Sequence, residues 1–199
     1  MAGCARDIEF HWWVACSSEI GADPSRNPEL AAVPNNDGWN DGLLYYDPRY
    51  ADNGNQQIYP TKRFYAMGNF SRYVRPGFQR YDVLGAARNL RIVAFAAAPD
   101  PAAPRANAQS APVQVPGTRS AGSGRDWVAV VINNAPTTEH VQVQFPGTSR
   151  LIPVTAVETS AIRNLEPVEL PTINARGLLT ASVPGQSITT FVLSGQSFG

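Results

Sequence analysis

Metal-binding and ionic chemistry have little to work with in this chain of 199 residues. It holds two cysteines, two histidines and a single lysine, Lys62. Cys4, Cys16, His11 and His140 do not fall at the spacing of a metal cage, so a structural zinc is not expected. The two cysteines fit either a disulfide in an oxidising compartment or a pair of buried free thiols. Only 16% of residues are charged, and 16 acids balance 16 bases. Such neutrality leaves no electrostatic footprint for nucleic acid or an anionic membrane, and neither is expected as a partner. No apolar run reaches about 18 residues, the length that marks a membrane-spanning helix. Residues 1–9 carry Arg6, Asp7 and Glu9 and lack the apolar stretch of a secretory signal. That segment reads either as the start of a cytosolic protein or as a Met1 that is not the start of its parent gene.

What is present is apolar and aromatic: 43% hydrophobic and 10% aromatic residues, enough for a sizeable core. IEFHWWVAC (8–16) is a near-continuous apolar run and predicts a strand covered on both faces. Ser17 to Asn40, rich in Pro, Asn, Asp and Gly, predicts a long irregular loop. Asp37-Gly38 and Asp41-Gly42 are turn pairs on either side of Trp39. Pro60 and Thr61 open a helix with Thr61 as its N-cap. Phe64, Met67, Phe70 and Val74 recur at helical spacing and predict the core-facing stripe, and Pro76-Gly77 ends it. Beyond Phe78 the period changes to two. Strands are predicted at 88–98, 126–134, 139–145, 149–159, 177–183 and 187–193, with HVQVQF the strictest alternation. These strands and the Pro and Gly between them predict an antiparallel β-sandwich. Pro99 to Arg125 is rich in Ala, Pro, Ser and Gly and predicts a disordered loop at about 99–125.

WNDGLLYYDP, then GNQQIYPTKRFYAMGNFSRYVRPG, then a β-region ending PGQSITTFVL, resembles the C-terminal part of family 30 glycoside hydrolases. The likeness is nearest to the fungal endo-β-1,6-galactanase type. It extends over nearly the whole chain except Pro99–Arg125, and its specific part runs from Trp39 to Gly77. The resemblance implies an antiparallel β-sandwich side domain preceded by the last β/α unit of a (β/α)8 barrel. Residues 1–76 would be the barrel remnant, with strand eight, a long loop and the final helix. Residues 77–199 would be the sandwich. It also implies a secreted, monomeric parent that hydrolyses a galactan-type polysaccharide by a retaining mechanism and needs no cofactor. The paired glutamates of that mechanism would lie on strands upstream of Met1, so the isolated chain is expected to be inactive.

The binding candidates are Trp12, Trp13, Glu19, Trp39, Asn40 and Asp41. Indole faces stack on pyranose C–H faces. Strand alternation turns one of Trp12 and Trp13 toward the sugar and the other toward the surrounding helices. The resemblance favours Trp13 for the sugar, and core packing of both is the alternative. Glu19 follows the strand near the mouth of the barrel. A lone carboxylate cannot run a double displacement, so its expected role is contact with sugar or capping of the loop. Asn40 and Asp41 either bond sugar hydroxyls or build the turn. Arg72 and Arg75 complement the C-terminal end of the helix dipole. Asn69-Phe70-Ser71 is a glycosylation sequon inside the predicted helix, expected to be unmodified. A different class of function, a non-catalytic carbohydrate-binding or interaction module built on the sandwich, is the alternative reading.

Overall fold

The computed structural model describes residues 12–18, 20, 41–85, 88–97, 125–146 and 150–196. These residues fall into two compact units, one ending at Met67 and the other starting at Gly68.

The first unit is built on a three-stranded sheet. β1 (Cys16–Ser17) runs parallel to β2 (Leu44–Tyr46), and β2 pairs antiparallel with β3 (Ile58–Pro60). Backbone bonds from Leu43 N to Val14 O (3.1 Å) and Leu44 N to Ala15 O (3.0 Å) carry this alignment back past the end of β1. Tyr45 and Tyr59 are buried cross-strand partners, with Ile20 against them. The short helix α1 (Tyr50–Asn53) ends at Gly54, whose φ of 72° supplies the left-handed turn. The strand expected at 8–16 is therefore shorter and later in its described part. Residues 12–15 are not in a strand, and residues 8–11 lie outside the described residues. Parallel pairing is present, but only two residues long. Cys16 is a free, exposed thiol, which matches neither the disulfide nor the buried thiol that the sequence allowed.

The helix α2 (Lys62–Ser71) starts as anticipated. Phe64 N donates to Thr61 Oγ1 (3.4 Å), the bond of an N-cap threonine. Its predicted stripe needs correcting. Phe64 is 41% exposed, whereas Asn69 is completely buried. At its C-terminal end Arg75 Nη1 donates to Ser71 O (3.2 Å), as a helix-terminal cation should, and the Arg72 guanidinium lies over the Tyr73 ring.

The second unit is an antiparallel β-sandwich. Its strands are β4 (Phe78–Tyr81), β5 (Leu90–Ala97), β6 (Trp127–Asn133), β7 (Glu139–Gln144), β8 (Arg150–Thr159), β9 (Asn164–Pro167), β10 (Thr172–Ile173), β11 (Leu178–Val183) and β12 (Ser187–Gln196). They form a six-stranded sheet in the order β4-β5-β6-β12-β8-β9 and a three-stranded sheet in the order β10-β11-β7. The six long strands expected from the period-two pattern are all present. On β7, Val141 and Val143 point inward while His140, Gln142 and Gln144 are exposed. Trp127, Ala129, Val131, Phe191 and Leu193 of the large sheet pack against Val141, Val143, Leu179 and Val183 of the small one. The opposite face of the large sheet, with Phe95, Val128, Val130, Val157 and Val192, is covered by Phe70, Tyr73 and Val74 at the end of α2. Burial pushes the Tyr73 phenol above its ordinary pKa, with the Arg72 charge opposing. The loop expected at about 99–125 lies outside the described residues, apart from Arg125 at its end.

Candidate functional site

Three of the six binding candidates are described, and all three lie in the first unit. Trp12 is half-buried, and its indole Nε1–H donates to the backbone oxygen of Asp41 (2.7 Å). Trp13, its neighbour, is 93% exposed. The two indoles thus have different environments, but strand alternation is not the cause, because residues 12–15 are not in a strand. One is a fixed anchor and the other an open apolar face. Asp41 takes part through its main chain. Glu19, Trp39 and Asn40 lie outside the described residues, as does Asp37.

The backbone that receives Trp12 is held from several sides. Gly42 N donates to the hydroxyl of Tyr45 (2.9 Å). Gly42 O accepts from Arg63 Nη2 (3.1 Å) and Nε (3.3 Å). Thr61 Oγ1 donates to Leu43 O (3.0 Å). Tyr45 is itself fully buried, so its hydroxyl is a fixed acceptor. Glycine at position 42 is favoured by space. A Cβ at this position would lie 2.9 Å from Cζ of the Tyr45 ring.

Next to this clamp lies a second polar centre that the sequence reading passed over. The Asp47 side chain is shielded from solvent. Its Oδ1 accepts from Arg49 N (2.9 Å), and its Oδ2 accepts from Asn53 Nδ2 (2.8 Å) and Asn55 Nδ2 (3.2 Å). Asn55 Nδ2 also donates to the Tyr59 hydroxyl (2.9 Å). The available signal was the Asp47-Pro48 pair, a turn opener whose aspartate side chain can bond the backbone N–H two residues on. The side-chain bond from Asn53 and the backbone bond from Arg49 hold the Asp47 carboxyl below the ordinary aspartate value of 3.8, against the opposing effect of burial.

Because the folded pKa is depressed, this stabilisation is fully present above the ordinary value. It is lost as pH falls through the folded pKa. Asp47→Asn is expected to lower the melting temperature near pH 7 and to flatten its fall between about pH 5 and pH 2. Thermal melts followed by near-ultraviolet circular dichroism would read this. A variant with the same slope against pH as the parent chain would remove Asp47 as the cause.

The described carboxylates with assigned bonds serve the fold. Asp126 Oδ1 accepts from Ser194 Oγ (2.9 Å) and Gly195 N (3.3 Å). Glu158, buried on β8, faces Glu166 across the β8–β9 pair, and Arg163 lies 3.8 Å from the first and 3.7 Å from the second. Among the described residues, no group of three or more His, Cys, Asp and Glu side chains is arranged to hold a metal ion. No helix among them is long and apolar enough to cross a membrane.

No protein-family model matches the sequence. Among solved structures, the chain is similar to a glycoside hydrolase family 30 subfamily 8 xylanase from Clostridium acetobutylicum. That match has a TM-score of 0.50 and 22% identity, and covers 79% of this chain and 32% of that one. It is also similar to the catalytic domain of family 30 xylanase C from Talaromyces cellulolyticus, with a TM-score of 0.50 and 21% identity over 77% of this chain and 27% of that one. The chain thus spans about a third or less of the structures it matches. The fold is mainly β with antiparallel sheets, a sandwich like the side domain of these enzymes. The chain carries a glycoside hydrolase family 30-like fold over a part of that fold's length.

Proposed function

We propose that this chain is the C-terminal part of a secreted glycoside hydrolase that cleaves a β-1,6-galactan-type polysaccharide. In this reading the chain supplies a sugar-stacking surface and not the catalytic carboxylates. The observation that carries it is the exposed indole of Trp13 beside an anchored Trp12, on backbone fixed through Asp41 and Gly42. An aromatic face held on a rigid support presents apolar area to a pyranose ring at small entropic cost. The family 30-like fold supports a glycosidase, and the WNDGLLYYDP and GNQQIYPTKRFYAMGNFSRYVRPG segments support the galactanase type. Glu19, Trp39, Asn40 and Asp41 complete the proposed sugar contacts.

Titration calorimetry of the 199-residue chain against β-1,6-galacto-oligosaccharides and xylo-oligosaccharides tests this. Binding is expected for the galactan series. Trp13→Ala is expected to weaken it by about 1 kcal/mol, the scale of an aromatic stacking contact, or roughly fivefold in Kd. The same preparation is expected to release no reducing sugar from β-1,6-galactan. Equal affinity for the xylo-oligosaccharides would remove the galactan assignment. Hydrolysis abolished by Glu19→Gln would overturn the division of labour.

A further inference from the structure

Asn53-Gly54 is the one Asn-Gly pair of the sequence. Asparagine is thermolabile, and most so before glycine, whose bare Cα leaves its backbone nitrogen open to the preceding side chain. The reaction is an attack of Gly54 N on Asn53 Cγ. The new N–Cγ bond forms as the Gly54 N–H proton passes to a base in solvent. The Cγ–Nδ2 bond breaks, and the nitrogen leaves as ammonia with a proton taken from water. Water then opens the cyclic imide at either carbonyl, which gives aspartate or isoaspartate.

Both residues are exposed, so water and base reach them. Yet every group that must react is held. Gly54 N donates to Tyr50 O (3.0 Å), so the proton to be lost is engaged. Asn53 Oδ1 accepts from Asn55 N (2.9 Å), and Asn53 Nδ2 donates to Asp47 Oδ2 (2.8 Å). Ring closure makes Cγ tetrahedral and turns its oxygen and nitrogen away from both partners. The leaving nitrogen also needs a proton. Its neighbour is a carboxylate that the Asn53 and Arg49 bonds hold ionised, an acceptor with no proton to give.

We infer that Asn53 is a guarded modification site and that Asp47 is its guard. The site is quiet while Asp47 holds the Asn53 carboxamide. It converts to aspartate or isoaspartate when the segment 47–55 opens. Conversion does not reverse. It places a negative acceptor where Asn53 Nδ2 gave a bond to Asp47 Oδ2, and two carboxylates that close do not both stay ionised. Asn55, which bonds both Asp47 and the Tyr59 hydroxyl, then loses a fixed partner, and the loop no longer re-forms its centre beside β3. The inference does not rest on the glycan assignment.

The test uses the full chain, aged in mildly alkaline buffer. Mass spectrometry of the tryptic peptide 50–62 reads aspartate and isoaspartate at position 53. In urea the parent chain is expected to convert at least about tenfold faster than in buffer, the scale of losing one charge-assisted hydrogen bond. Folded Asp47→Ala is expected to approach the urea rate. Asn55→Ala is the control for general loosening. It removes the side-chain bonds to Asp47 and Tyr59 but keeps both bonds to the Asn53 carboxamide, so it should convert as slowly as the parent. The inference is overturned if the parent converts equally fast in buffer and urea, or if folded Asp47→Ala is as slow as the parent. It is equally overturned if Asn55→Ala is as fast as Asp47→Ala. A second measurement needs no Asp47→Ala protein. Asn53→Asp, the product made genetically, is expected to melt below Asn53→Ala, because it adds repulsion to a lost bond. Adding Asp47→Asn to Asn53→Asp is expected to raise the melting temperature again. Equal melting of Asn53→Asp and Asn53→Ala would remove Asp47 as the guard.

Discussion

Gly185→Ala is expected to destabilise the sandwich by about 3 kcal/mol or more, the upper part of the range for forcing extra volume into a packed site. A Cβ on Gly185 would lie 2.3 Å from the carbonyl oxygen of Pro136 and 2.4 Å from its carbonyl carbon. Both are main-chain atoms, so no side chain can rotate out of the way. The surrounding junction is tied on several sides. The buried Asn133 side chain donates to Thr137 O (2.9 Å), Val183 O (3.0 Å) and Pro184 O (2.9 Å), and its Oδ1 accepts from Ala135 N (2.9 Å). Gln186 N donates to Ala135 O (2.8 Å), and Ser187 Oγ donates to Pro184 O (2.7 Å). The loop between β6 and β7 and the loop between β11 and β12 are thus one bonded unit, and separating them breaks several bonds together. Gly77→Ala is the matched control. Gly77, unlike Gly185, has a left-handed backbone, with φ of 89°, and no atom lies within 4 Å of its added Cβ. Its cost should stay near 1 kcal/mol, that of placing a side chain in a left-handed conformation. Urea unfolding of both variants separates contact from strain. Equal losses would show that the approach to Pro136 is not what fixes Gly185.

The long strands were legible because their pattern is local. HVQVQF places Val141 and Val143 on one face and His140, Gln142 and Gln144 on the other, and the folded chain keeps that division. β6, with WVAVVIN, is buried along nearly its whole length because both faces of the large sheet are covered there. β4, β9 and β10 were not legible. They have two to four residues, and FQRY and NLEP carry no alternation of their own. Their pairing is imposed by longer neighbours. In the first unit the cap at Thr61 could be read from residue type. The clamp on Gly42 could not, because it joins an arginine and a tyrosine that a sequence shows only as a cation and an aromatic. The different exposures of Trp12 and Trp13 were expected from strand alternation, which the segment does not have. Which one is anchored depends on the Asp41 carbonyl, 29 residues away.

Asn69 is where the sequence reading and the fold differ most, and its substitution should be correspondingly costly. A helical stripe counted from apolar residues passes over an asparagine. Yet Asn69 is fully buried and joins α2 to two strands of the sandwich. Its Nδ2 donates to Thr159 Oγ1 (2.7 Å), and its Oδ1 and its main-chain oxygen each lie 3.0 Å from the Thr190 hydroxyl, which donates to them. Thr159 Oγ1 in turn accepts from Leu165 N (3.2 Å). These partners lie 90 and 121 residues along the chain, and only the folded sandwich brings them to the helix. Asn69→Leu removes a donor and an acceptor from a closed network and adds branched volume beside the threonines. The expected loss is about 3 kcal/mol, as for leaving buried polar groups unpaired. Thr190→Val, which keeps shape and removes one hydroxyl, should cost less, about 1 kcal/mol. The same geometry decides the fate of the Asn69-Phe70-Ser71 sequon. A glycan would replace an Nδ2 hydrogen in a site with no exposed surface. Folded protein from a glycosylating host should therefore carry no glycan at Asn69, and mass spectrometry of the tryptic peptide reads this directly. A glycan on Asn69 in soluble, cooperatively unfolding protein would show that the helix does not dock on Thr159 and Thr190. An Asn69→Leu variant as stable as the parent chain would mean that these three side chains contribute nothing to holding α2 on the sandwich.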